Sequence, residues 1–484
     1  MNHSVAHDAL KLSIMKGLSL IIGLCSVMML SRFRALAEYG SYSQIIMIVT
    51  LAVSLFALGL PNSLNYFLAS AENEKYKVRF ISSYYTFCTL LSIITGLVLL
   101  FSVPFLCAYF KNASLATYSY ALFLLPWTRI ISSSLENYLV VEKKTSLLFI
   151  VKIVYSSVTL LVIIASIVLE LDFIKYMISF VICEVVFTII CYYIVKKVSR
   201  GCILGIELEL VKRILKFSLP LGLASVVGTL TLELDKLMVG FFCNTETLAI
   251  YTNAARELPV TIISASITAV LMPRLVRMLK AGDSEEAFFL WGSATYLSYI
   301  FICFFAVVLV VFAPQIISLL YSDKYLPGVA VFRVYALVLL FRTTYFGMIL
   351  NSIGKTKIIF VCSLVTLVLN AILNFVLYYS IGIVGFAIAT LVSIGAVNGI
   401  QLKISANIYQ KSIRSVMPWK KLIWVTLVNI VFGVSVYWIV VTLQLDTSLI
   451  QIIFAIILGL FWTVGYLFVV KKDITRTWRI LNSV

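Results

Sequence analysis

The stretch Lys357–Leu402 reads KIIFVCSLVTLVLNAILNFVLYYS followed by IGIVGFAIATLVSIGAVNGIQL, and it holds no charged residue after Lys357. Two apolar runs, near 357–378 and 381–402, flank a short turn at Gly382. A bilayer-crossing helix uses roughly 20 apolar residues. Each run is long enough, so the stretch predicts a helical hairpin across a membrane.

The same pattern recurs in both directions from this hairpin. Of 484 residues, 62% are apolar and 12% charged, against the quarter or so charged in soluble domains. With a mean hydropathy of +1.06, the apolar residues fill about fourteen spans. These are expected near 12–31, 40–62, 79–102, 116–139, 147–169, 173–195, 214–242, 248–274, 288–313, 327–350, 357–378, 381–402, 422–442 and 449–470. The expected fold class is an all-α polytopic membrane protein. No room is left for a folded extramembrane domain. A soluble enzyme, a secreted disulfide scaffold and a nucleic-acid binder are all excluded.

The net charge of +17 is read as a positive-inside bias rather than a nucleic-acid footprint. With the N-terminus in the cytoplasm, the inner segments hold Lys196, Lys197, Arg200, Lys212, Arg213, Lys216, Arg274, Arg277, Lys280, Lys403, Lys411, Arg414, Lys420 and Lys421. The outer loops hold Arg32, Arg34, Lys111, Lys175 and Lys324. An even number of spans with both termini cytoplasmic keeps that asymmetry. The basic inner loops suit anionic lipid headgroups or proteins of an assembly pathway. Residues 10–37 imitate a signal peptide, with Lys11 and Lys16 before an apolar run and Ala35-Leu36-Ala37 after it, but the run is long enough to be the first span.

Nine cysteines include Cys25, Cys88, Cys183, Cys191, Cys303 and Cys362 inside apolar runs, with no CxxC pair. They read as small buried hydrophobes. The two histidines are His3 and His7, so the expectation includes no metal, no cofactor and no catalytic residue.

A weak internal repeat relates Glu38-Tyr39-Gly40-Ser41-Tyr42 and Leu60-Pro61 to Leu248-Ala249-Ile250-Tyr251 and Met272-Pro273. It predicts two six-helix lobes of the same orientation, 1–200 and 201–412, with residues 413–484 appended as two helices and a cytoplasmic tail.

Charge inside a span costs roughly 2.5–3.5 kcal/mol on insertion scales, so such residues are functional candidates. The seventh span carries Gly222, Ser225, Thr229, Glu233, Lys236 and Gly240 on one face, with Asp235 beside it. The eighth carries Asn253, Glu257, Thr261, Ser264 and Thr268, with Arg256 adjacent. The eleventh carries Ser363, Thr366, Asn370 and Asn374. Small and hydroxylated stripes also act as helix–helix glue, but those with Glu, Asn and Lys favour a water-filled cavity. Asp235 and Arg256, like Lys236 and Glu257, lie at similar depths on consecutive spans, and either pair together structurally or release a carboxylate to a coupling ion. In the fourth span Arg129, Ser132, Ser133 and Glu136 share a face; Glu136 matches Lys152 in depth, while Arg129 is deeper and suits an anion. Glu184, in the sixth span, either carries a proton or pairs with Arg129. Arg342 is mid-span in the tenth, and Arg333 nearer the outer end.

Asn370-Ala-Ile-Leu-Asn374, then Gly382-Ile-Val-Gly385-Phe-Ala387-Ile-Ala389-Thr390, resembles the "LN…LN…GxxGAAxAT" stretch of the Wzx-type polysaccharide flippases, including O-antigen flippases. These belong to the multidrug/oligosaccharidyl-lipid/polysaccharide exporter superfamily. Leu232-Glu-Leu-Asp235-Lys236 with Tyr251 and Ala254 resembles the seventh and eighth spans of that family. The first outer loop departs from it, reading Arg34-Ala-Leu-Ala-Glu38-Tyr-Gly40 in place of a Gly-Pro before Glu-x-Gly. The resemblance implies a bacterial inner-membrane transporter with two facing lobes. The resemblance further implies as substrate a polyprenyl-pyrophosphate-linked oligosaccharide, flipped to the outer leaflet for lipopolysaccharide or capsule synthesis, with antiport of H+ or Na+. Arg129, Arg256, Arg342 and Lys236 then suit the pyrophosphate. Thr229, Asn253, Thr261, Ser264, Asn370 and Asn374 suit the glycan, and Asp235, Glu233, Glu257 and Glu184 the coupling ion. A multidrug or other lipid-precursor exporter of the superfamily is the alternative. A membrane polymerase or ligase fits less well, since its catalytic residues need a substantial outer loop.

Overall fold

The Lys357–Leu402 hairpin forms as two helices, Thr356–Ile381 and Val384–Ile408. Gly382 takes φ +68° between them, a left-handed conformation that costs glycine little and other residues more. A Cβ at Gly385 would overlap the Leu377 carbonyl, so the two helices meet backbone to backbone there. Gly385→Ala is expected to cost about 3 kcal/mol by overpacking. Gly399→Ala, on the same helix with nothing within 4 Å of the added carbon, is expected to be neutral or slightly stabilising. Thermal unfolding of the two variants in detergent checks the contrast.

The computed structural model describes residues 2–57, 59–69, 73–199, 201, 205–256, 258–443 and 449–483. Its helices are α1 (Asn2–Phe33), α2 (Leu36–Ala57), α3 (Leu60–Ala69), α4 (Glu74–Phe101), α5 (Val103–Phe110), α6 (Ser114–Thr117), α7 (Ser119–Val141), α8 (Thr145–Val168), α9 (Phe173–Ser199) and α10 (Leu208–Phe242). They continue as α11 (Thr245–Ala254), α12 (Ile262–Ala281), α13 (Ser284–Val311), α14 (Ala313–Tyr321), α15 (Val329–Val338), α16 (Met348–Ser352), α17 (Thr356–Ile381), α18 (Val384–Ile408), α19 (Ile413–Val416), α20 (Trp419–Thr442) and α21 (Leu449–Ser483). In hydrocarbon every backbone N–H and C=O needs an internal partner, which a helix supplies along its own axis.

This is a multi-pass integral membrane protein. Among the described residues, 11 helices are long and apolar enough to cross a bilayer, or 12 with α10 taken as one bent span. The bend in α10 is 45° between Leu208–Pro220 and Gly222–Phe242, at the proline that cannot donate to the preceding turn. Two of the expected spans fall short of that standard. The described apolar part of α1, Gly17–Phe33, is too short. Helix α7 is diluted by Arg129, Ser132, Ser133, Ser134, Glu136 and Asn137.

Two other expected helices are interrupted. The eighth span, read as continuous over 248–274, stops at Ala254 and resumes as a single 3-10 turn at Pro259–Thr261 before α12. Pro259 lacks an N–H and pushes Leu258 into extended geometry, φ −75° and ψ 153°. The tenth, read as 327–350, is a 3-10 turn (Asp323–Gly328), α15, a second 3-10 turn (Leu339–Arg342), an unwound stretch, and then α16.

The chain divides into two compact units, Met1–Ala249 and Ile250–Val484. In the first, α4 packs on α7, α1 on α8, and α10 on α2 and α3. Helix α10 packs within this first unit. Its core is rich in aromatic rings, with Phe80, Tyr84, Tyr85 and Tyr138 buried among Leu64, Ile130 and Ile131. In the second unit, α13 is the hub, touching α12, α15, α20 and α21. The Tyr466 hydroxyl donates to the Ile300 carbonyl at 2.8 Å, fastening α21 to α13. The outward sides of α8, α9, α17, α20 and α21 expose Val, Leu, Ile and Phe, the surface a lipid environment takes up.

Candidate functional site

In the first unit, α7, α8 and α9 bring three polar side chains together. Glu184 on α9 is 2% exposed. The Arg129 guanidinium on α7 lies 3.4 Å from its carboxylate, and the Tyr155 hydroxyl on α8 donates to it at 2.5 Å. Of the two readings left open for Glu184, the geometry is the paired one. Burying a carboxylate is costly without a cation and hydrogen bonds, and here it has both. The Arg129 side chain as a whole keeps 38% exposure. Glu136 pairs with Lys152 at 3.1 Å, as their depths suggested.

On α10, Lys236 pairs with Glu233 at 2.8 Å across one helical turn. Thr229 accepts from the Ser54 hydroxyl at 2.9 Å, linking α10 to α2. Asp235 is 2% exposed. Glu257, expected at the depth of Lys236, lies outside the described residues.

In the second unit the two helix breaks carry the arginines. Asn253 is fully buried in the last turn of α11, and Arg256 is half-buried in the unwound segment that follows. The polar stripe expected from Asn253 through Thr261 and Ser264 is therefore split between two segments. Ser264 donates to the Thr261 carbonyl at 3.0 Å. At the other break, Arg342 ends its 3-10 turn half-buried. Neighbouring elements satisfy groups around the unwound stretch: the Asn398 amide donates to the Phe341 carbonyl at 2.8 Å, and the Trp291 indole donates to Thr344 at 3.0 Å. Arg333 donates to the Val310 carbonyl at 3.1 Å, an anchor at the end of α13.

Asn370 and Asn374 meet each other and α18. Asn374 donates to Asn370, and Asn370 to Thr390, both at 3.0 Å. Both asparagines are buried, so in this conformation they join α17 to α18 rather than line an open surface. Among the described residues no group of His, Cys, Asp and Glu is placed to hold a metal ion.

Tyr155 was missed from the sequence, where nothing marks it among the tyrosines of the spans. The break at Arg256 had a local signal in Pro259. What the arrangement offers chemically is cationic donors held inside a membrane protein. One faces a buried carboxylate, and two sit where helix backbone is unwound, the places where membrane proteins admit ligands.

Residues 29–330 match the family model described as "Polysaccharide biosynthesis protein". No curated protein sequence matches the chain. The fold is that of the lipid II flippase MurJ in an inward closed conformation, with a TM-score of 0.73, 19% identity, and coverage of 94% of this chain and 98% of that one. It is also similar to a multidrug resistance MATE family transporter of the MOP superfamily. The inward-facing form gives a TM-score of 0.60 at 17% identity, covering 81% of this chain and 96% of that one. The outward-facing form gives 0.55 at 16% identity, covering 85% and 96%.

Proposed function

The chain belongs to the polysaccharide biosynthesis protein family, and from that premise we propose that it flips a polyprenyl-pyrophosphate-linked oligosaccharide from the cytoplasmic to the outer leaflet of a bacterial inner membrane. The family and fold are those of transporters, not enzymes. The observation that carries the substrate is the placement of Arg256 at a break within the candidate span Thr245–Ala281 and of Arg342 at the end of the candidate span Asp323–Arg342. A pyrophosphate needs such donors, since guanidinium groups meet phosphate oxygens two at a time. In the first unit Arg129 and Lys236 are further candidate anion ligands, and Thr229, Asn253, Thr261, Ser264, Asn370 and Asn374 are the candidates for the glycan.

Counting α1 and α7 with the twelve gives fourteen spans, both termini cytoplasmic, in lobes 1–200 and 201–412 with 413–484 appended. Transport proceeds by alternating access of those lobes. In the first lobe Glu184 and the incoming pyrophosphate compete for Arg129. The displaced carboxylate takes a proton, which couples uptake to a gradient; Asp235, Glu233 and Glu257 are the further candidates for H+ or Na+. A multidrug exporter has the same fold, but a cationic drug finds no favourable partner in three arginines. Cells lacking the protein are expected to accumulate the lipid-linked glycan in the inner leaflet and to lose its polymer from the surface. Normal surface polysaccharide in those cells contradicts the proposal.

A further inference from the structure

A second polar and aromatic cluster of the first unit lies where α3 meets α7 and the start of α10, and the pyrophosphate reading leaves it unused. Tyr66 on α3 stacks on Phe217 of α10, with ring centroids 4.5 Å apart and planes 18° from parallel. Phe67 meets Phe217 edge-on at 5.7 Å and stacks on the fully buried Phe80 at 5.3 Å. The pile anchors Tyr66 to the core, yet Tyr66 remains 55% exposed. Beside it, the exposed Asn65 amide donates to the Asn137 side-chain oxygen at 3.3 Å, and the Asn137 amide donates to the Ser133 carbonyl at 3.0 Å. A held aromatic ring and one of two held planar amides thus come from consecutive exposed residues of α3, Tyr66 and Asn65.

That combination selects among the parts of a lipid-linked glycan. A polyprenyl tail needs apolar walls without amides. A pyrophosphate needs cations. A sugar ring has an apolar C–H face that lies against the electron-rich face of an aromatic ring, and a rim of hydroxyls that pair with amide donors and acceptors. Asn137 lies two helical turns along α7 from Arg129, about 12 Å of rise. A pyrophosphate followed by one or two sugar rings covers that separation.

We propose that Tyr66, backed by Phe217 and flanked by the Asn65–Asn137 amide pair, is a sugar-stacking platform for the glycan of the substrate. The platform rests on the flippase reading above and adds a recognition element for the sugars themselves. A tyrosine that only anchors the protein at the membrane–water interface has no preference between lipids with and without a glycan.

The test is equilibrium binding to the full chain in lipid nanodiscs, with two probes. One is polyprenyl pyrophosphate; the other is the same lipid carrying the glycan repeat unit, extracted from the source cells. The intact chain is expected to bind both, and the glycan-bearing lipid more tightly. Tyr66→Leu is expected to weaken binding of the glycan-bearing lipid about tenfold and to leave the bare lipid unchanged, while Tyr66→Trp keeps the preference. Asn65→Leu, which leaves the aromatic pile intact, is expected to weaken the glycan-bearing lipid alone by a few-fold. The platform is overturned if the intact chain does not distinguish the two lipids. It is equally overturned if Tyr66→Leu and Asn65→Leu both bind the glycan-bearing lipid as the intact chain does, or lose both lipids alike. If the intact chain binds neither lipid, the flippase reading itself fails and the platform with it.

Discussion

Arg129→Ala is expected to abolish glycan export and to destabilise the protein by about 2–3 kcal/mol. The substitution leaves Glu184, 2% exposed, beside Tyr155 with its cation gone. Removing one partner of a fully buried pair costs about 3–5 kcal/mol; the smaller figure follows from the 38% exposure of the Arg129 side chain, where water screens part of the attraction. Two roles are then separable by a second substitution. In Arg129→Ala/Glu184→Gln no buried charge is left uncompensated, so folded protein is expected to recover. Export is not expected to recover, because the anion ligand is still missing. Measuring protein level in the membrane beside surface polysaccharide decides the matter. Recovery of both by the double variant reduces Arg129 to a counter-ion.

Arg342→Ala is expected to leave folding largely intact and to lower export by tenfold to about a hundredfold. A hydrogen bond to a charged group contributes about 1.5–3 kcal/mol, which converts to that range of binding. The break around Arg342 is held by other residues, through the bonds from Asn398 and Trp291, so truncating the arginine does not remove its supports. Arg342→Lys is expected to recover part of the loss, since an ammonium keeps the charge but not the two-pronged donor geometry. Initial rates of export in cells, normalised to protein level, check the order Arg, Lys, Ala. Equal rates for all three dissociate Arg342 from the substrate.

The membrane class and the hairpin of α17 and α18 were legible because hydropathy is a local property, and a run of apolar residues means the same wherever it occurs. The motif glycines were legible too, and Gly385 shows why: the Leu377 carbonyl occupies the place of its Cβ. The breaks in the eighth and tenth spans were not read, since an apolar run looks continuous to hydropathy even where its hydrogen-bond ladder stops. Pro259 was a visible signal for one of them. For the other, the stretch from Thr343 to Gly347 holds no proline, and its unwinding depends on partners from α13 and α18 that are remote in sequence. Glu184 could not be assigned between a proton site and a partner of Arg129, because the rotation of α7, α8 and α9 about their axes is set by packing. Lys236 was matched by depth to Glu257 on the next span, whereas its partner in the structure is Glu233, three residues away on the same helix. The Asn370–Asn374 stripe was legible as a stripe, but its burial against Thr390 belongs to the helix pair.

The proposed movement of a lipid-linked glycan between leaflets, with Arg129 and Arg342 as ligands of its pyrophosphate, is open to direct measurement. The most direct measurement reconstitutes the purified chain in vesicles containing the glycan-bearing polyprenyl pyrophosphate and follows its appearance in the opposite leaflet by accessibility to a membrane-impermeant lectin. The intact chain is predicted to equilibrate the lipid faster than protein-free vesicles, and Arg129→Ala/Arg342→Ala to return the rate to the protein-free value. An intact chain no faster than empty vesicles, or a double variant as fast as the intact chain, contradicts the account.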